Sequence, residues 1–138
     1  MDKAELKRYR TLAREAQDLE RRVIKLRAQA SSCTRPDGYA RRRKSTKDRT
    51  AELVARIVDM DARLQDKRIA LLEQMAAIER AIESLEPIER LLIRLRYIDG
   101  LRWEEIAVDL NYSIQHVWRL HGEVLKKMRD YESRNVIK

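Results

Sequence analysis

The side chains best suited to chemistry lie in one short run, Ser113-Ile114-Gln115-His116-Val117-Trp118-Arg119. Gln115 offers a donor and an acceptor together, the pair that meets an adenine edge bidentately. Arg119 can meet a guanine edge or a phosphate, and Ile114 can touch a thymine methyl. Trp118 is bulky for base reading and suits packing on sugar or backbone, with His116 near the edge of the same face. Ser113 can cap a helix start through its hydroxyl. Ile114 and Trp118, four apart, would equally make a protein-docking patch. Arg94, Arg96, Arg102, Lys126 and Lys127 are candidates for phosphate contacts, which position without specifying. A second cationic group, Arg41-Arg42-Arg43-Lys44, is the densest basic run of the chain and attracts polyanions.

Enzyme chemistry is not expected. His116 and His121 are five apart, and no Cys, Asp or Glu joins them at metal-ligand spacing. The three glycines, at 38, 100 and 122, build no phosphate-cradling loop. Cys33 is the single cysteine, without a base nearby in sequence, and reads as a free thiol. No metal or cofactor is implied. His121 falls on an inward stripe and reads as a satisfied core residue. Gly122, inside a helical pattern, reads as close packing against the Leu91–Leu95 helix.

The elements that must position the outward run follow from periodicity. Leu91, Leu92, Leu95 and Ile98 give a short amphipathic helix from about Pro87 to Tyr97, and Asp99-Gly100 turns the chain. A helix then runs from Trp103 to Leu110, with Ile106 and Leu110 inward and Ala107 small where the next helix crosses. Asn111 tolerates the left-handed conformation that a tight turn needs. Tyr112 is expected to plug the turn. The last helix starts at Ile114 and runs to about Arg129, with Val117, Leu120, Val124, Leu125 and Met128 facing inward. Two helices joined in this way form a helix-turn-helix, which lays its second helix in a major groove.

Ahead of this unit stand two long helices. Tyr9, Leu12, Ala16, Leu19, Val23, Leu26 and Ala30 recur at steps of 3 and 4, a heptad seam uninterrupted by Gly or Pro. Pro36 and Gly38 end that helix, and Ser45 with Asp48 fits a capping box for the next. A second seam runs Val54, Ile57, Asp61, Leu64, Arg68, Leu71, Met75, Ile78, Ile82 and Leu85. Asp61 and Arg68 are its polar intruders: they fix register, pair across the hairpin or reach solvent. Val58, Met60, Ile69 and Leu72 widen the apolar face, so this helix can touch more than one partner. The simplest arrangement is an antiparallel coiled-coil hairpin. The second helix outreaches the first, so Leu71–Leu85 must be covered by the C-terminal body or by a second chain.

The expected fold is therefore all-α. An antiparallel long-helix hairpin over 1–86, with a basic loop at 31–46, is followed by a three-helix unit over 87–138. Composition agrees: 138 residues with 39% charged, 43% hydrophobic, three Gly and two Pro leave little turn material for strands. The net charge of +8 is uneven: +4 over residues 1–30, +5 over 31–49, −3 over 50–86 and +2 over 87–138. The longest stretch without Asp, Glu, Lys or Arg is Leu110–Trp118, far below the about 20 apolar residues of a membrane span. No signal peptide is expected behind Met1-Asp2-Lys3-Ala4-Glu5, and a lone cysteine suits a reducing cytoplasm.

Residues 85–129 resemble region four of bacterial sigma factors, on Leu-Glu-Pro-Ile-Glu-Arg-Leu-Leu-Ile-Arg-Leu-Arg-Tyr-Ile-Asp-Gly-Leu-Arg-Trp-Glu-Glu-Ile-Ala and onward to Lys-Lys-Met-Arg. The Arg-Tyr-Ile-Asp-Gly, Trp-Glu-Glu-Ile-Ala and Leu-His-Gly runs also look like the RinA-type late-gene transcription activators of phages. The resemblance implies a sigma region 4-like helix-turn-helix that binds double-stranded promoter DNA and the flap of the RNA polymerase β subunit. It departs from sigma factors where they usually carry arginine at the positions of Ile114 and Trp118, glutamate at Gln115, and often a Ser or Thr cap at Arg102. No −10-binding region is recognisable. The reading implied is a DNA-binding regulator of phage late genes in the host cytoplasm, with a homodimer through the long helices open. The alternative is a helical adaptor whose sigma-like end binds polymerase or another protein rather than DNA.

Overall fold

The computed structural model describes residues 1–33 and 46–136, and the described chain is all-helical. Helix α1 spans Lys3–Cys33 and α2 spans Thr46–Ile82. Helix α3, Pro87–Ile93, runs on into a π-helical turn at Arg94–Ile98. Helix α4 spans Trp103–Leu110 and α5 spans Ile114–Val136. The Arg41–Lys44 run, the Ser45 cap and the Cys33 thiol lie outside the described residues and side chains. Among the described residues no helix is long and apolar enough to cross a membrane.

Local chemistry sets the boundaries. Asp2 Oδ1 accepts the Glu5 N–H at 2.9 Å, satisfying one free donor at the start of α1. Helix α2 stops at Ile82 in tight turns, with Glu83 N–H donating to Arg80 O and Leu85 N–H to Ile82 O. Pro87 then takes the first position of α3, where its missing N–H costs nothing. The break expected at residues 84–87 is thus present. Helix α5 runs past the expected Arg129 to Val136.

The described chain divides into two compact units, residues 13–70 and residues 1–12 with 71–138. In the first, α1 and α2 lie antiparallel: Glu15 pairs with Lys67 at 2.5 Å, and Arg27, further along α1, pairs with Asp61 at 3.7 Å, further back on α2. Its seam buries Ala16, Val23 and Leu64. The two polar intruders both pair across it, Asp61 with Arg27 and Arg68 with Glu20 at 3.5 Å, while keeping water contact. Val54, Val58 and Ile69 of α2 are exposed, so its apolar surface exceeds what this seam covers.

The second unit holds a continuous core. Leu6 and Tyr9 of α1, Ile78 and Ile82 of α2, and Leu85 meet Leu92, Ile93, Leu95, Tyr97, Ile106, Ala107, Val117, Val124 and Met128. The surplus of α2 is therefore covered, at Ile78 and Ile82, with Leu85 just beyond it, by the C-terminal helices of the same chain together with Leu6 and Tyr9. Gly100 has φ 73°, and the Arg10 guanidinium lies 3.2 Å from where a side chain would start. The positive φ is what favours glycine there, since the Arg10 guanidinium is the end of a flexible side chain and can give way.

Candidate nucleic-acid interface

The turn between α4 and α5 is built from its backbone outward. Asn111 adopts φ 57°, ψ 43°, the left-handed conformation. The Tyr112 N–H donates to Ala107 O at 2.9 Å and the Asn111 N–H to Val108 O at 3.2 Å. This pair of bonds closes the end of α4 as a Schellman motif. Ser113 Oγ then accepts the His116 N–H at 3.1 Å, capping α5 as expected. Ile106 and Ala107 are buried, and Leu110 is half-buried against the core. Tyr112 does not plug the turn. It is exposed and sets its ring edge-on to His116, with centroids 4.5 Å apart. The Asn111 and Tyr112 backbone N–H groups close the turn without the ring.

Helix α5 divides cleanly by face. Val117, His121, Val124 and Met128 are buried. Gln115, His116, Trp118, Arg119, Gly122, Lys126 and Arg129 are exposed, and Ile114 is half-buried at the rim. Trp118 leaves 51% of its surface open to water. The outward surface is therefore not plugged by the rest of its own unit. Arg129 belongs to this face and escaped the sequence reading, although its spacing of three from Lys126 was the signal that could have found it.

The cationic candidates separate into engaged and open groups. Arg94 grips Glu79 with two bonds, at 2.9 and 2.7 Å, which holds the Glu79 carboxyl below its ordinary range. Arg96 donates to Leu101 O at 2.9 Å and lies over the Trp103 ring at 4.3 Å. Arg102 donates to Glu105 at 2.7 Å and supplies no side-chain cap to α4. Lys127 donates to Glu89 at 2.7 Å. Glu89 is buried, and its other oxygen accepts the Glu86 N–H at 3.0 Å. Lys127 is thus the counter-ion of a buried carboxylate as well as a surface cation. Arg119, Lys126 and Arg129 have no ion pair among the described residues.

Behind the site, His121 and Tyr97 share a 2.5 Å hydrogen bond, and Trp103 meets His121 edge-on at 4.6 Å. Burial pushes the His121 pKa down to about 4, with the Lys3 and Arg96 charges adding to it. Burial pushes the Tyr97 phenol up to about 12. Both rings are neutral at pH 7, so His121 is a packing residue, as its place on the inward stripe predicts. The π-helical turn carries Tyr97 into this cluster. Asp99 N–H reaches back five residues to Arg94 O at 2.9 Å.

Gly122 does not pack against α3. It is exposed, and a methyl group added there would meet nothing within 4 Å. Among the described residues no contact compensates its helix-propensity cost of about 1 kcal/mol relative to alanine.

This geometry agrees with the comparison to known families. Residues 75–128 match the family model described as Sigma-70, region 4. The match begins inside α2, ahead of Pro87, and ends at the buried Met128. The C-terminal part of the chain is thus similar to sigma region 4, a DNA-binding and transcription-regulatory type of domain. No curated protein and no solved structure matches significantly.

Proposed function

We propose that the chain is a sequence-specific regulator of bacteriophage late genes, binding double-stranded promoter DNA in the host cytoplasm through α5. Gln115 and Arg119 read base edges, Ile114 contacts a thymine methyl, and Trp118 packs against sugar. Ser113 and His116 flank them at the start of the helix. Lys126 supplies a phosphate contact, with Arg102 and Lys127 sharing their charge between phosphate and their intramolecular carboxylates. Arg94 and Arg96 add to the positive field. One observation carries this reading: the first two turns of α5 present Gln115, His116, Trp118 and Arg119 to solvent while a capped, closed turn fixes the helix. The sequence runs similar to RinA-type activators support late-gene activation, and the similarity to sigma region 4 supports a contact with the RNA polymerase β flap. The exposed Val54, Val58 and Ile69 of α2 support pairing of two chains.

A gel-shift titration against the chain's own late-operon upstream DNA tests the reading. Binding should weaken steeply with salt, and Gln115→Ala with Arg119→Ala should reduce it by ten- to a hundredfold. No binding at low salt, or binding indifferent to both substitutions, overturns it. Replacing Arg41, Arg42, Arg43 and Lys44 with alanine should reduce the salt slope, and an unchanged slope makes that run a spectator.

A second reading rests on Trp118 and Val108. The first is half-exposed and the second 82% exposed, and exposed apolar side chains on both helices of the motif also suit a protein partner. In that reading the chain is an adaptor docking on polymerase, and Trp118→Ala abolishes capture of purified polymerase while DNA binding is absent throughout.

A further inference from the structure

We propose that Gly122 marks the point where α5 comes closest to the DNA backbone, its missing side chain seating one strand between Arg119 and Lys126. The inference rests on the DNA-binding reading and deepens it by assigning the outer face of α5 residue by residue.

Gln115, Arg119, Gly122, Lys126 and Arg129 follow one another at steps of 4, 3, 4 and 3, and all are exposed. They form a single row along the helix. The row is polar and cationic except at its centre, where it has no side chain at all. Nothing among the described residues asks for that gap. Gly122 lies inside α5, away from either end, its φ is not in the left-handed region, and the space around it is open. A mid-helix glycine is among the least favourable choices for helix stability, so the gap calls for a reason from outside the chain.

Distance supplies that reason. From Gln115 to Gly122 the helix rises about 10 Å. A helix entering a major groove about 12 Å wide meets the flanking sugar–phosphate wall after a comparable advance. Residues before that point face base edges, as Gln115 and Arg119 do. Residues beyond it face phosphates, which matches Lys126 and Arg129, both free of ion pairs among the described residues. At the crossing itself a side chain would hold the helix away from the wall. A glycine lets the backbones approach and lets the cations on either side reach their targets together.

The test is fluorescence anisotropy of the full chain on a labelled 30-base-pair duplex, first of mixed sequence at low salt and then of sequence selected from a random pool. Gly122→Ala should raise Tm by about 3–5 °C, since alanine favours the helix and meets no obstruction. The same variant should bind the selected duplex about tenfold more weakly, and Gly122→Leu weaker still. Lys126→Ala and Arg129→Ala should each lower the salt slope by about one. The opposite movement of stability and affinity is a result that a merely structural glycine does not produce. If the wild-type chain binds and Gly122→Ala and Gly122→Leu bind equally well, the close approach is wrong while the DNA reading stands. If the wild-type chain binds neither duplex, both fall together.

Discussion

Residues 13–70 and the unit of residues 1–12 with 71–138 are both made of helices, yet different forces hold them. Among the described residues the first buries three apolar side chains, Ala16, Val23 and Leu64, and lines its seam with ion pairs whose partners are largely exposed. The second buries fourteen apolar side chains in one cluster and adds a buried carboxylate and a buried imidazole, each with a partner. Exposed ion pairs contribute little, because water and salt screen them and two long side chains must be held still. Apolar burial contributes about 25 cal/mol per Å² and dominates. A heptad seam specifies which helices lie together. A filled three-dimensional core specifies where each side chain points, which is what a reading surface requires.

Substitutions can break or sharpen this contrast. The largest loss is expected from Leu92→Ala, which empties a fully buried site in the second unit and should cost about 3–4 kcal/mol by urea denaturation. Leu64→Ala, in the thin seam, should cost about 2 kcal/mol because neighbouring groups and water can close on the gap. Equal losses at the two sites would erase the distinction. Glu89→Ala should cost about 2–3 kcal/mol, since it frees the Glu86 N–H and strips Lys127 of its partner.

Acid should act on the second unit through His121. Its folded pKa is depressed to about 4, so the unfolded chain takes the proton first as pH falls below about 6.5. The stability from the neutral ring is complete above that value and declines down to about pH 4. The loss should be about 2 kcal/mol at the bottom of the window, read as the shift of the urea midpoint between pH 7 and pH 4. His121→Phe should flatten that part of the profile, and an unchanged profile would show that His121 is not the titrating group. The smallest effect belongs to the first unit: Arg68→Ala, removing a cross-helix pair at 3.5 Å between exposed side chains, should change stability by less than about 0.5 kcal/mol.

Much of this architecture is legible in the sequence, for identifiable reasons. The heptad spacing from Tyr9 to Ala30 and from Val54 to Leu85 announces the long helices, because a seam needs a repeated step. Pro87, Asn111 and Ser113 announce a helix start, a left-handed turn and a cap, because few residue types perform those tasks. What escaped depends on contacts distant in the chain. Glu89 looks like a surface acid until Lys127, 38 residues later, folds over it. The π-helical turn at Arg94–Ile98 leaves no mark in a pattern of threes and fours. Arg94 and Arg96 look like free cations because Glu79 and the Trp103 ring, their partners, are fixed by packing and not by spacing. Tyr112 and Gly122 depart from expectation for the converse reason. A large ring suggests an interior and a small residue suggests crowding, and in both places the neighbourhood is open.

The division of α5 into two faces has one further consequence. Val117, His121, Val124 and Met128 carry the packing, and none of Gln115, Trp118, Arg119, Gly122 or Lys126 shares that duty. Exchanging the outer set leaves the interior undisturbed, so mutations that change what the helix recognises need not erode the scaffold. Such a surface can drift toward a new target one substitution at a time, with every intermediate still folded.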